Sequence, residues 1–317
     1  YKMRKDAIDI QKASFLEINK QEKKINIKPG NWVIRKPLII PPKYELIANK
    51  KTTLSLEDKG YLLSYGNVTF IGSENDPIKI INKNKSYGNG FGIINANNKS
   101  LLKYVDFINM SNINSKRLIF TGGVTIYQSE IDIRNVNFNN SLSEDSLNIV
   151  RSIFNIEKIT LESSQSDAID IDFSNGYMNN IKIRNSNNDG LDISGSEIKV
   201  KNIYIENSKD KGISIGESSN IQIDSLKING SFVAIANKDG SKAKINNLEL
   251  KNSNFDFAGF NKKNEYTGSI TNINYKDFPN KNLNYLLAYP SFLKVNNVKY
   301  DPNSTNDFIF NLLYKNK

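Results

Sequence analysis

Short runs in which apolar and polar residues alternate recur along most of the chain, and the recurrence has a fixed length. Ser146-Leu147-Asn148-Ile149, Ala168-Ile169-Asp170-Ile171, Gly190-Leu191-Asp192-Ile193, Gly212-Ile213-Ser214-Ile215 and Ala234-Ile235-Ala236-Asn237 follow one another at a constant step. A second alternating column follows in each unit, as Val136-Asn137-Phe138, Ile159-Thr160-Leu161, Ile181-Lys182-Ile183, Ile203-Tyr204-Ile205, Leu226-Lys227-Ile228 and Leu248-Glu249-Leu250. A third short piece, such as Ile198-Lys199-Val200, lies between them. Period-2 alternation predicts strands, roughly three per unit. After the second column comes a polar pair: Asn140-Ser141, Ser163-Ser164, Asn185-Ser186, Asn207-Ser208, Gly230-Ser231 and Asn252-Ser253. Asn and Gly tolerate the left-handed backbone, and stacked Asn side chains can hydrogen-bond from coil to coil, so an asparagine ladder at one turn is expected. The predicted fold is all-β: a single-stranded right-handed parallel β-helix of about 22 residues per coil.

Upstream the pattern is less regular. Val105 and Val136 are further apart than one such step, so about eight residues near Ser111 to Phe120 are expected to bulge out as a loop. Ile25 to Ile40 reads as the first coils, with turns at Pro29-Gly30 and Pro41-Pro42. Residues 1–24 are expected to form an N-terminal cap or arm, 25–272 the β-helix and 273–317 a C-terminal cap or tail. The aromatic residues of that tail would equally suit an oligomer interface.

Composition narrows the chemistry. The 317 residues include no His and no Cys, which excludes Ser-His and Cys-His dyads, thiolate metal sites and disulfides. Carboxylates, Lys, Arg and Tyr remain. No apolar run approaches the roughly 18 residues needed to span a bilayer. A chain that begins at Tyr1 and lacks Cys is expected to be a mature exported protein: extracellular, periplasmic or on the cell surface of a bacterium. Lys and Arg outnumber Asp and Glu by 43 to 33, a net charge of +10. Lys182, Lys199, Lys201, Lys227, Lys242 and Lys244 fall at outward positions. A basic stripe there would face an acidic polysaccharide or cell-envelope glycan, and an ordinary solvated surface would look the same. No recognition helix or aromatic-basic alternation points to nucleic acid.

Against this basic background the outward column of the first strand reads Asn148, Asp170, Asp192, Ser214, Ala236, and the turn residue three before it reads Asp145, Asp167, Asp189, Lys211, Val233. Asp172, Glu144 and Asp210 add carboxylates on coils about 4.8 Å apart. Three explanations stand side by side. Asp caps backbone N–H groups at such turns; Asp167, Asp170, Asp189 and Asp192 could ligate Ca²⁺; a pair of carboxylates is what glycosidic cleavage requires.

Ser166-Asp167-Ala168-Ile169-Asp170-Ile171, Asn188-Asp189-Gly190-Leu191-Asp192 and Lys211-Gly212-Ile213-Ser214-Ile215-Gly216 resemble the successive catalytic coils of polygalacturonase-type glycoside hydrolases, members of the pectin-lyase-like β-helix superfamily. The resemblance implies a catalytic Asp at Asp167 and the first of two paired aspartates at Asp189. Gly190 stands where the second paired aspartate belongs, and Lys211 where that family has its His. Polysaccharide lyases of the superfamily use Lys or Arg as base, often with Ca²⁺ on the uronate carboxylate, so the resemblance also offers a lyase with Asp167, Asp189 and Lys211 as catalytic residues and Asp170, Asp192 and Asp210 as substrate contacts. Carboxylate neighbours raise a Lys pKa, which makes Lys211 equally a structural counter-ion. The function expected is binding or lyase-like cleavage of an acidic polysaccharide. Its alternative is a non-catalytic adhesive or structural module of a larger surface protein or fibre.

Overall fold

The computed structural model describes residues 6–115, 118–275 and 283–315. The parts of the expected caps at 1–5, 276–282 and 316–317, and positions 116–117 of the expected loop, lie outside the described residues. The chain is all-β, a right-handed parallel β-solenoid of about 12 turns with roughly 22 residues per turn. It divides into two compact units, Tyr1–Ala168 and Ile169–Lys317.

The first unit opens with an antiparallel hairpin, Leu16–Asn19 against Lys24–Ile27, and continues with parallel pairings. Val105 pairs with Val136. The extra residues of that coil leave the solenoid, and Asn114–Ser115 and Leu118–Ile119 pair antiparallel within the excursion. Inside, Phe70, Phe91, Phe107 and Phe138 form a chain of ring contacts with centroids 6.0, 5.3 and 5.3 Å apart, and Phe107 stacks on Phe138, its register partner on the next coil.

The second unit keeps a constant register. Ile169 pairs with Leu191, Leu191 with Ile213, Ile213 with Ile235 and Ile235 with Phe257. These side chains are buried, and apolar stacks on apolar from coil to coil. Asn237 and Thr271 depart from the aliphatic rule: both are fully buried, and Asn237 Nδ2 donates to Thr271 Oγ1 at 2.6 Å and to the Ile270 carbonyl at 3.1 Å.

The predicted turn is present. Asn140 and Ser163 in the first unit, and Asn185, Asn207, Gly230 and Asn252 in the second, all have φ between 54° and 85°. Asn207 Nδ2 donates to Asn185 Oδ1 at 3.1 Å, and Ser186 and Ser208 share a hydroxyl bond of 2.9 Å one residue further on. A second serine ladder lies on another turn. The backbone N–H groups of Ser174, Ser196 and Ser219 donate to the hydroxyls of Ser196, Ser219 and Ser241 on the following coils, at 2.9, 3.1 and 3.1 Å.

Past Asn272 the coil continues in altered form. Ile270 pairs with Phe292 across one coil of the regular length, while Phe257 pairs with Tyr285 across a longer one. After an antiparallel return at Val298–Tyr300, the chain folds back as a short helix, Asn306–Phe310, and a π-helical turn, Asn311–Lys315. Thr305 caps the helix, its hydroxyl accepting from the Phe308 N–H at 3.2 Å. Ile309 and Leu313 bury against Val233, Ala236, Ala258, Phe260 and Leu286. Ala236 and Ala258 occupy the outward column, where a solvent-facing strand would carry polar residues; their small size lets the helix lie on the sheet.

Candidate functional site

The register of the second unit aligns Asp170, Asp192, Ser214 and Ala236 in one outward column. At the preceding turn Asp189 and Lys211 lie on adjacent coils. Asp189 Oδ1 accepts the Lys211 backbone N–H at 3.0 Å and its ammonium at 3.4 Å, and the same ammonium donates to Asp210 Oδ2 at 2.6 Å. All three side chains are buried, Lys211 with only 2% of its surface exposed. Burial alone would lower the Lys211 pKa, but Asp189 and Asp210 outweigh it and hold the side chain as an ammonium ion well above its ordinary value. Burial likewise pushes the Asp189 carboxyl up, against the pull of Lys211. Gly190 faces inward: a Cβ there would lie 2.7 Å from the Gly212 carbonyl and 2.8 Å from Ile205, so no aspartate fits at this place.

A second buried cation lies on the next coil. Lys238 donates to Ser214 Oγ at 2.7 Å, and its stem passes over Gly216, where an added Cβ would approach within 3.0 Å. Tyr314 of the C-terminal turn closes this layer, its ring centroid 5.1 Å from Lys211 Nζ and 4.6 Å from Lys262 Nζ.

Beside the covered layer runs a more open strip built from Asp172, Asp192, Glu217, Lys262 and Lys263. The buried Asp239 carboxylate shapes it by accepting the backbone N–H groups of Lys262 and Lys263 at 2.7 and 2.8 Å, and Lys263 is ion-paired with Glu217. Partial burial, with Asp192 and Glu217 nearby and Lys263 opposing, raises Asp172 to about 6. Lys262, whose ammonium lies over the Tyr314 ring, is displaced the other way. Desolvation and the neighbouring Lys238 lower it below the ordinary Lys value, and Asp192 only partly restores it.

Of the residues singled out in the sequence, Asp170, Asp189, Asp192, Asp210 and Lys211 belong to this region of the second unit. Asp167 belongs to the first unit, where its N–H donates to the Glu144 carbonyl at 2.8 Å. The expected Ca²⁺ set of Asp167, Asp170, Asp189 and Asp192 does not fit the ion. Among the described residues no three carboxylates converge closely enough to hold a metal, and the Lys211 ammonium sits between Asp189 and Asp210 as their counter-ion. Lys211 is held charged by Asp189 and Asp210, whereas the lysine displaced downward is Lys262. It lies beyond the last regular coil, so repeat alignment cannot reach it; the Lys262-Lys263 pair that follows closely on Phe260 is its signal in the sequence.

Two further surfaces of the second unit stand out by their composition and shape. Tyr177, Lys199, Gln222, Lys244, Asn272 and Lys294 form a single register column, basic and free of carboxylates. Lys182, Tyr204 and Lys227 align instead with Glu249, which pairs with Lys227 at 2.8 Å and Lys251 at 2.9 Å, so that column carries no comparable excess. Along the asparagine turn lies a shallow groove of about 390 Å³ lined by Asn185, Asn187, Asn207, Lys209, Phe232 and Asn252 among others. No helix among the described residues is long and apolar enough to cross a membrane.

No protein-family model matches the sequence, and no curated protein matches it. Solved structures do resemble the fold, a parallel β-helix. The full-length tailspike protein 2 of Escherichia coli O157:H7 bacteriophage CAB120 superposes with a TM-score of 0.59 at 12% identity, over 85% of this chain and 43% of the tailspike. A single-site mutant of the periplasmic alginate epimerase AlgG superposes with a TM-score of 0.53 at 11% identity, over 94% of this chain and 80% of the epimerase. The chain thus spans less than half the length of the tailspike it resembles.

Proposed function

We propose that this protein is an extracellular or periplasmic β-helix that binds an acidic polysaccharide and transfers a proton at a uronate residue of it. The observation that carries this reading is the opposed displacement of two groups on the same open strip: desolvation and the neighbouring Lys238 move Lys262 below the ordinary Lys value, and partial burial pushes Asp172 up to about 6. Proton-transfer catalysts work best when their pKa values approach the working pH, and both groups are displaced in that direction. In the proposed step the Lys262 amine takes the C5 proton of the uronate, and the electron pair left behind spreads into the sugar carboxylate. The C4–O bond then breaks and Asp172 gives its proton to the departing oxygen, leaving an unsaturated uronate end. Lys263 and the Lys199–Lys244–Lys294 column supply positive charge for a polyanionic chain. The epimerase and tailspike likenesses support a glycan as ligand by analogy of fold.

A second reading, a non-catalytic glycan-binding module, is favoured by the amide-lined groove and by the burial of Asp189 and Lys211. Incubation with polygalacturonate, polymannuronate and polyguluronate separates the two. Ultraviolet absorbance from unsaturated ends, lost in Lys262→Ala and in Asp172→Asn, is the expected result. Retained binding without any such product from the wild type would overturn catalysis and leave the binding module.

A further inference from the structure

Phe173 follows Asp172 at a turn where the fold asks for something else. Asp172, Ser194 and Gly216 are registered on successive coils. The residues after them, Phe173, Gly195 and Glu217, are all left-handed, with φ of 48°, 59° and 56°, as is Asp239 at 55°. Glycine and short polar residues adopt this conformation readily, whereas a bulky aromatic side chain is disfavoured in it. Phe173 nevertheless occupies the position with 52% of its surface exposed. Its ring is also fixed in place: a Cβ on Gly195 would lie 2.6 Å from Phe173 Cδ1 and 2.7 Å from Cε1, so the ring lies directly on the glycine of the next coil. Any other residue at position 195 would displace it.

An exposed hydrophobic side chain alone is ordinary. Here it is held in an unfavourable backbone conformation, laid against a bare backbone and placed one residue from the acid strip, with Glu217 and its Lys263 partner on the same turn. We propose that Phe173 is a sugar-stacking platform: a pyranose ring of the glycan lies with its apolar face on the phenyl ring while its hydroxyls reach Glu217 and Lys263. A rigid aromatic surface with two side-chain torsions loses little entropy on binding, and the polar groups beside it orient the ligand. The platform rests on the reading that the adjoining strip receives a glycan.

The test compares wild type with Phe173→Asn, Phe173→Trp and Lys262→Ala, using calorimetric titration with galacturonate, mannuronate and guluronate tetramers and with maltotetraose as a neutral control. Asn accepts the left-handed conformation, so Phe173→Asn should melt no lower than wild type while its affinity for the uronate tetramer falls about tenfold; Phe173→Trp should keep or tighten it. Wild-type binding that Phe173→Asn leaves unchanged would overturn the platform and leave the strip intact. Affinity lost in Phe173→Asn, with turnover absent from the wild type, would uphold the platform and overturn the catalytic role of the strip. Wild type that binds none of the three uronate tetramers would overturn both.

Discussion

Lys211 is held by two carboxylates in a space that admits almost no water, and the arrangement is stable only while all three charges are present. Removing the ammonium leaves Asp189 and Asp210 buried without compensation, so Lys211→Met should cost about 3–5 kcal/mol in urea denaturation at pH 7. Adding Asp189→Asn and Asp210→Asn to that variant should recover a large part of the loss. Asp172 governs stability in a different way. Its carboxyl ionises near 3.8 in the unfolded chain and near 6 in the folded one. The folded state therefore holds the proton more tightly, and the stability this contributes is full below about pH 4, fades as pH rises to 6 and is absent above it. A displacement of that size would correspond to at most ~3 kcal/mol, which solvent screening at a partly open site reduces to about 1 kcal/mol. Asp172→Asn should thus stabilise the protein by about 1 kcal/mol at pH 7.5 and change little at pH 4. Asp189 is displaced in the same direction, so the curve to measure is the difference between variant and wild type across pH 4–7.5.

The C-terminal helix is the element that turns an exposed strand face into a covered one. Ile309 and Leu313 are buried and face Ala236 and Ala258, so Leu313→Ala should cost about 2–5 kcal/mol if the site cannot collapse, and less if the helix simply lifts. Lifting would be read as faster chymotryptic cleavage at Phe308 and Phe310, because cleavage follows the population of the open form. This element also marks the limit of what the sequence discloses. The coils are legible because inward Ile and Leu recur once per coil, and the asparagine turn because its residues tolerate positive φ. The last coil is hidden by the longer step from Phe257 to Tyr285. The serine ladder of Ser174, Ser196, Ser219 and Ser241 has the right spacing, yet serine is too common in turns to stand out. Asp189, Asp192 and Lys211 are recognisable as a charged column, but the cover over this layer comes from a helical segment far downstream, and local pattern carries no trace of it.

At the scale of the whole molecule, a net charge of +10 is expressed unevenly. Glu249 holds part of the lysine surface in local ion pairs, whereas Lys199, Lys244 and Lys294 share a column without carboxylates. Retention on immobilised polygalacturonate should therefore fall steeply as salt rises from 0.1 to 1 M, where the screening length shrinks from about 10 to about 3 Å. Reversing those three lysines to Glu should abolish retention, while the same change at Lys182 and Lys227 should only weaken it.

The strict register of the second unit gives this architecture a unit of change. Because the first strand of each coil from Ile169 to Phe257 meets the next at one constant step, loss or gain of one whole coil would leave each remaining strand, stacked aliphatic and serine bond with an equivalent partner. A deletion of any other length would turn inward side chains outward unless a turn absorbed the difference, as happens between Ser208 and Lys211. Excision of the coil that begins at Lys211 would set Asp192 against Ala236 and remove the buried ammonium in a single step, with the fold unbroken. Such a scaffold can exchange its chemistry in whole rungs.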